Sequence, residues 1–199
     1  YEMSDQAASS VTKTSLALKS IRDWTVVIVV ALVIAILVRM FVLQQFYISG
    51  PSMQSTLFQD NRVLVSKLSY RLHGIGRGDI VVFDRVTDNG QQIQHDDLIK
   101  RVIGLSGDLV EVKDCIVYIN NHILIEPYLN ADDLAQGSLD DRCRIPMLAA
   151  QRVPEGKIFV MGDNRPQSYD SRMFGPISKD LVVGRAFVVL WPISAFKLL

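Results

Sequence analysis

An excess of charge of either sign is missing from this chain. Its 199 residues carry 21 Lys and Arg against 21 Asp and Glu, so no strongly basic surface draws nucleic acid, and none is expected as a partner. Histidine is scarce. His73, His95 and His122 are too scattered for a metal site, and no metal or other cofactor is expected. His95-Asp96-Asp97 is not read as part of a Ser-His-Asp triad, because a triad is assembled in space and not from sequence neighbours. Cysteine is scarcer still, with only Cys115 and Cys143, whose spacing matches no zinc or redox pattern. Two free thiols and one disulfide are both open, since sequence does not show whether the two Cα atoms come within bonding distance. Gly74-Ile-Gly-Arg-Gly78 lacks the following helix that a phosphate-binding loop requires and reads as a turn. Internal repeats and long amphipathic helical patterns are also missing.

What the chain has is one long apolar run. Mean hydropathy is +0.21, and Trp24 to Leu43, interrupted only by Arg39, accounts for much of it. About twenty such residues at roughly 1.5 Å each span the roughly 30 Å hydrocarbon core of a bilayer. A cleaved signal peptide fits less well, because the run is longer than a typical apolar segment of that kind and no Ala-x-Ala site follows it. The sequence therefore predicts a transmembrane anchor over 23–43, with the lipid bilayer as a partner. Lys13, Lys19 and Arg22 precede the span, which puts residues 1–22 in the cytoplasm as a disordered tail. Residues 44–199 are then an extracytoplasmic domain of a single-pass plasma-membrane protein.

Beyond the anchor the pattern is of short β-type runs: Arg62 to Leu68, Ile80 to Phe83, Ile99 to Leu105, Leu109 to Val112, Lys157 to Met161 and Leu181 to Leu190. Cys115 to Ile125 reads as two strand halves around Asn120 and Asn121, which suits a type I′ hairpin. Turn signals are dense between the runs, at Asn89-Gly90 and Ser106-Gly107-Asp108 among others. The expected fold is mainly antiparallel β. Residues 126 to 152, acidic at Asp132, Asp133, Asp140 and Asp141, read as an irregular exposed loop, part of a cap or insertion over about 106–156.

Three segments have the residue types for chemistry. Ile48 to Leu57 packs four hydroxyl residues around Gly50 and Pro51; a strained loop there would present Ser52 with backbone N–H groups nearby. Leu98 to Asp108 sets Lys100 in an apolar strand. If Lys100 points inward, burial and the neighbouring cation Arg101 would both lower its pKa, which must fall from about 10.4 by roughly three units to serve as a base near neutrality. Gly162 to Pro176 is the densest polar cluster, and its position between apolar strands draws Asp163, Asn164, Arg165, Ser168, Asp170, Ser171 and Arg172 toward a semi-buried network.

Four blocks in order behind the anchor, SGPSMQSTL at 49–57, RGDIVVF at 77–83, IKRVIGLSGD at 99–108 and GDNRPQSYDSRMFGPI at 162–177, resemble the type I signal peptidase family. These are the leader peptidases that remove signal peptides from exported preproteins. The resemblance implies the β-rich fold of Ser-Lys proteases, with Ser52 as nucleophile, Lys100 as general base, and Ser168 orienting that lysine. It implies that Asp170 and Arg172 brace the polar loop, with Asp163 in the same supporting network. The oxyanion would be held by the Ser52 N–H; some members add a hydroxyl two residues earlier, where this chain has Gly50. Pocket positions match Phe46, Ile48, Met53, Leu57 and Ile99. Preproteins with small residues, often alanine, at the first and third positions before the cut are the implied substrates. The family usually has proline where this chain has Ser55 and Ser106, so both loops are expected to be looser.

Two other classes compete. A catalytically inactive relative assisting surface assembly, for instance of pili, would lack cleavage of preproteins. A self-cleaving Ser-Lys repressor would carry a DNA-binding segment where this chain has its apolar span.

Overall fold

A computed structural model of the chain describes residues 22–36, 38–39, 42–88, 93–129, 143, 145 and 147–199. Two units are distinct, 1–42 and 43–199. In the first, 22–36 and 38–39 are helical, and the apolar side chains from Trp24 to Ile36 are exposed all round. Among the described residues no helix is long and apolar enough to cross a membrane. The expected anchor is therefore not seen as one span. Leu43, placed at its end from sequence, opens a strand instead. The tail expected over 1–22, apart from Arg22, lies outside the described residues, as do Asn89-Gly90 and the four acidic residues between 132 and 141.

The second unit contains the strands β1 (Leu43–Tyr47), β2 (Arg62–Ser66), β3 (Ile80–Asp88), β4 (Ile93–Gly104), β5 (Leu109–Lys113), β6 (Ile116–Ile119), β7 (His122–Ile123), β8 (Leu148–Arg152), β9 (Lys157–Met161), β10 (Ile177–Ser178), β11 (Val182–Trp191) and β12 (Lys197–Leu198). Two helices of one turn, α1 (Ser69–Leu72) and α2 (Ser171–Phe174), interrupt them. The strands form an eight-stranded sheet ordered β1-β2-β11-β3-β4-β9-β10, with β12 beside β11, and a four-stranded sheet ordered β7-β6-β5-β8. Every pairing among the described residues is antiparallel.

Alternation explains most of these elements. In β2, Val63 and Val65 are fully buried while Arg62 is exposed, and in β5, Val110 and Val112 point inward. The hairpin at Asn120 and Asn121 forms as its sequence predicts, with Ile119 opposite His122 and both asparagines at positive φ, 53° and 67°. Asparagine tolerates that region better than most residues.

Edge strands escaped the sequence pattern. β8 lies in the stretch read as irregular, yet it pairs with β5 from Leu109↔Arg152 to Val112↔Leu148. Its LAAQR sequence is mostly exposed at the sheet margin and so carries no apolar alternation. β1, with two glutamines at the opposite sheet's edge, hid behind the apolar run in the same way.

Three apolar cores result. Ile48, Met53, Leu57, Val63, Val65 and Ile80 fill one beneath the turn that follows β1. Ile103, Phe159 and Met161 of the large sheet meet Val110, Val112 and Val117 of the small one in a second. Val81, Phe83, Val102, Ile158 and Val160 form the third, on the other face of β3 and β4.

Of the two states left open for the cysteines, the structure has the disulfide: Cys115 and Cys143 are bonded, 28 residues apart in sequence. Closing a loop of that length restricts the unfolded chain by about 3 to 4 kcal/mol. Cys143→Ser is accordingly expected to lower unfolding free energy by about that amount, read from denaturant titration under non-reducing conditions; an unchanged midpoint would refute it.

Candidate active site

Ser52 stands in the connection from β1 to β2. Gly50 enters it at φ +111°, a region that suits glycine, and no atom lies within 4 Å of where its Cβ would be. Tight turns follow, in which the Gln54 N–H donates to Pro51 O at 2.9 Å and the Thr56 and Leu57 N–H groups donate to Met53 O at 3.0 and 2.7 Å. Met53 and Leu57 are sunk into the core below, so Ser52 is held half-buried at the surface. Among the described residues, the Ser52 N–H has no backbone acceptor, while its carbonyl accepts from Asn164 N–H at 3.1 Å.

Ser55 corrects one expectation. Its φ of +81° is closed to proline, so the absence of that residue does not loosen this loop. Instead, Ser55 Oγ donates to Tyr128 O at 3.2 Å and tethers the turn. Ser106 Oγ likewise donates to Lys157 O at 2.9 Å, so the second loop is tied as well.

Lys100 is supplied by β4, opposite Val81 of β3. Strand alternation puts it on the face shared by Leu98 and Val102, and it is only 3% exposed. Its Nζ lies 2.7 Å from Ser52 Oγ and 3.0 Å from Ile99 O. Burial lowers its pKa from the ordinary 10.5 to about 8, against the opposing pull of Asp170 and Asp163. Arg101 takes no part in that depression, contrary to the sequence expectation. By alternation it projects from the opposite face of β4. Its charge is matched there by Asp163, with Nε to Oδ1 at 2.9 Å and Nη2 to Oδ2 at 2.6 Å.

The polar segment after β9 is buried, as its position between apolar strands suggests. Asp170 caps α2 by accepting the Arg172 N–H at 3.2 Å, takes the Gly162 N–H at 3.0 Å, and holds Arg172 through Nε and Nη2, both at 2.8 Å. Burial alone would raise the Asp170 carboxyl; the bonds and charge of Arg172, with the Ser168 hydroxyl and Gly162 N–H, hold it below the usual range. Arg172 also donates to Arg165 O at 2.8 Å, closing the loop on itself. Ser168 is 1% exposed, and no bond joins it to Lys100. Its Oγ has no partner of full hydrogen-bond geometry, although it lies near enough to Asp170 to affect that carboxylate. Gly162 is what lets these parts meet, because a Cβ there would run into Ser168 Oγ and Ser52 O.

The five expected pocket residues are brought together in the core below Ser52. Ile48, Met53 and Leu57 are at most 4% exposed, whereas Phe46 and Ile99 are half-buried and retain accessible surface. Sequence reasoning missed Glu126 and Tyr128, which lie in the segment read as loop. Glu126 pairs with Arg165, and the Tyr128 ring lies 3.9 Å from the Arg101 guanidinium carbon. Among the described residues no group of His, Cys, Asp and Glu could hold a metal ion.

A hydroxyl against a buried amine, on an antiparallel β framework, has the parts that a serine hydrolase needs. Residues 21–191 match the family model described as signal peptidase, peptidase S26, and the chain belongs to that family. It is 37% identical over 187 residues, 90% of this chain and 94% of the relative, to signal peptidase IB of Staphylococcus aureus (strain COL). With a probable signal peptidase I-2 of Synechocystis it shares 38% identity, covering 86% of this chain and 73% of that one. A crystal structure of a signal peptidase I from Enterococcus faecalis V583 aligns at a TM-score of 0.41 and 34% identity, covering 58% of this chain and 96% of that one.

Proposed function

We propose that this protein is a membrane-anchored endopeptidase that cuts signal peptides from exported preproteins, with Ser52 as nucleophile and Lys100 as general base. The 2.7 Å approach of Lys100 Nζ to Ser52 Oγ carries the reading. A lysine with its pKa brought down to about 8 is neutral in about a tenth of molecules at pH 7, and only the neutral amine can accept a proton. Ser52 Oγ attacks the scissile carbonyl as its proton passes to Lys100. The resulting oxyanion is held by the Ser52 N–H, which has no competing backbone acceptor among the described residues. Lys100 then gives its proton to the departing amine. A water, deprotonated by the same lysine, hydrolyses the acyl-enzyme.

Ser168 and the Asp170–Arg172 pair serve this chemistry by holding the wall beside Lys100, and Gly50 leaves the approach to Ser52 open. Phe46 and Ile99 supply the accessible apolar surface for small substrate side chains, with Ile48, Met53 and Leu57 as its floor. Small pockets exclude larger residues by overlap, which suits Ala-x-Ala signal peptides. Residues 23–42 anchor the chain. The support is a helical stretch whose apolar side chains from Trp24 to Ile36 are exposed, preceded by basic residues that favour a cytoplasmic N-terminus. The domain from 43 onward is then extracytoplasmic. The contact of Ser52 with Lys100 supports an active peptidase over an inactive assembly factor.

The test is Ser52→Ala in the full chain, expressed with an Ala-x-Ala preprotein. Processing is expected to vanish while the variant sediments with membranes. Retained processing would overturn the nucleophile, and a variant found in the soluble fraction would overturn the anchor.

A further inference from the structure

Residues 124 to 129 form no regular strand or helix, yet Tyr128, through its backbone and its ring, and Glu126, through Arg165, reach all three segments that build the site. The Tyr128 carbonyl accepts from Ser55 Oγ at 3.2 Å, three residues after Ser52. Its ring lies against the Arg101 guanidinium, 3.9 Å from carbon to centroid, one residue after Lys100. Its hydroxyl donates to Glu126 Oε1 at 2.6 Å. Glu126 in turn takes both ends of the Arg165 guanidinium, with Nη1 at 3.0 Å from Oε2 and Nη2 on Oε1. Arg165, 2% exposed, passes the connection to Gly162 O at 3.0 Å through Nε.

A role confined to joining the two sheets would need only apolar contact, and Val110, Val112 and Val117 already supply it against Phe159 and Met161. The Tyr128 contacts are of another kind. The carbonyl ends on the turn of the nucleophile, the ring on the strand of the base, and the hydroxyl, through Glu126 and Arg165, on the loop that walls the base, three segments from distant parts of the chain. Burial and the Glu126 charge push the Tyr128 phenol well above its ordinary pKa, so it remains a donor to Glu126 throughout the working range. The disulfide brackets the segment, with Cys115 before it and Cys143 after it.

We propose that Tyr128, held in place by Glu126, is a positioning residue for peptide-bond cleavage, setting the Ser52 turn against Lys100 through Ser55 and Arg101. It touches neither reacting group. Its ring packs β4 and the turn together and keeps water from the Arg101 side of the site. The proposal rests on Ser52 and Lys100 being the reacting pair.

The experiment compares wild type, Tyr128→Leu, Tyr128→Phe and Ser52→Ala, each as the full chain in detergent with an Ala-x-Ala preprotein, and records a thermal unfolding curve for each. Tyr128→Leu is expected to lower kcat by about 10²-fold, the order of loss that a misplacement of about 1 Å produces, with KM within about twofold. A Ser52 turn shifted away from Lys100 uncovers the amine, which then ionises more nearly as it does in solution, so the limb on which activity rises with pH moves upward. Tyr128→Phe keeps the ring on Arg101 and is expected to recover kcat to within about tenfold of wild type, with the limb in its original place. A Tyr128→Leu protein with wild-type kcat and an unmoved limb, however low its unfolding temperature, overturns the proposal and leaves Tyr128 a packing residue. Cleavage by Ser52→Ala overturns the assignment beneath it, and is read independently of either Tyr128 variant.

Discussion

Lys100→Ala is expected to cut preprotein cleavage by about 10³-fold or more, through kcat, because it removes the only amine in contact with Ser52 Oγ among the described residues. The pH dependence follows from the same group. Its folded pKa of about 8 means that wild-type kcat/KM rises with pH up to about 8 and levels off above it. Acid conditions protonate Lys100 and are expected to extinguish activity. Stability moves with the same ionisation. Below pH 8 both the folded and unfolded chains hold the proton, and burying the charged amine costs about 3 kcal/mol. From pH 8 to 10.5 the folded chain releases it first, so stability rises with pH; above 10.5 both are neutral and the cost is gone. Lys100→Met fills similar volume without the charge. It should be inactive yet at least as stable as wild type at pH 7, as judged by urea unfolding. A less stable Met variant, or an Ala variant with a tenth of normal activity, would sink the buried-base argument.

Gly162→Ala is expected to be nearly as damaging, though it adds one methyl and changes no reacting group. The new Cβ would run into the Ser52 carbonyl and Ser168 Oγ, and would stand 2.7 Å from Ser168 Cβ. The Ser52 carbonyl is backbone and already receives the Asn164 N–H, so it can yield only by moving the nucleophile. A shift of about 1 Å costs on the order of 10² in kcat, and overpacking a tight site costs about 1 to 3 kcal/mol of stability. Adding Ser168→Ala should not restore the rate, because Ser168 Cβ and the Ser52 carbonyl both remain. A Gly162→Ala enzyme within threefold of wild-type kcat would show that the turn has room that this geometry denies.

Local pattern carried much of the architecture. Strands such as β2 and β5 bury alternate valines, and the hairpin at Asn120-Asn121 needs two left-handed residues that asparagine accepts. Edge strands β1 and β8 were not readable, since strands with one free side and little buried surface need no alternation. In the site, Ser52 and Lys100 were recognisable because their blocks are contiguous in sequence. The pairing of Arg101 with Asp163 was not, and its omission made Arg101 look like a cause of the low Lys100 pKa. The Ser55 turn was misjudged for a related reason. A positive φ cannot be deduced from a serine, so the missing proline suggested slackness where Tyr128 O provides a tether.

By itself, then, the sequence determined the β character, the apolar N-terminal run, the hydroxyl and amine proposed for catalysis, and the membership of a serine peptidase family. Each of these is carried by neighbouring residues, where backbone preference and side-chain period act directly. Only the tertiary structure decided that Cys115 and Cys143 are joined, that Lys100 is buried at 2.7 Å from Ser52, and that Glu126 and Tyr128 reach across to three separate segments. Burial and contact between distant residues depend on how the sheets stack, and it is burial that brings the Lys100 pKa down to about 8.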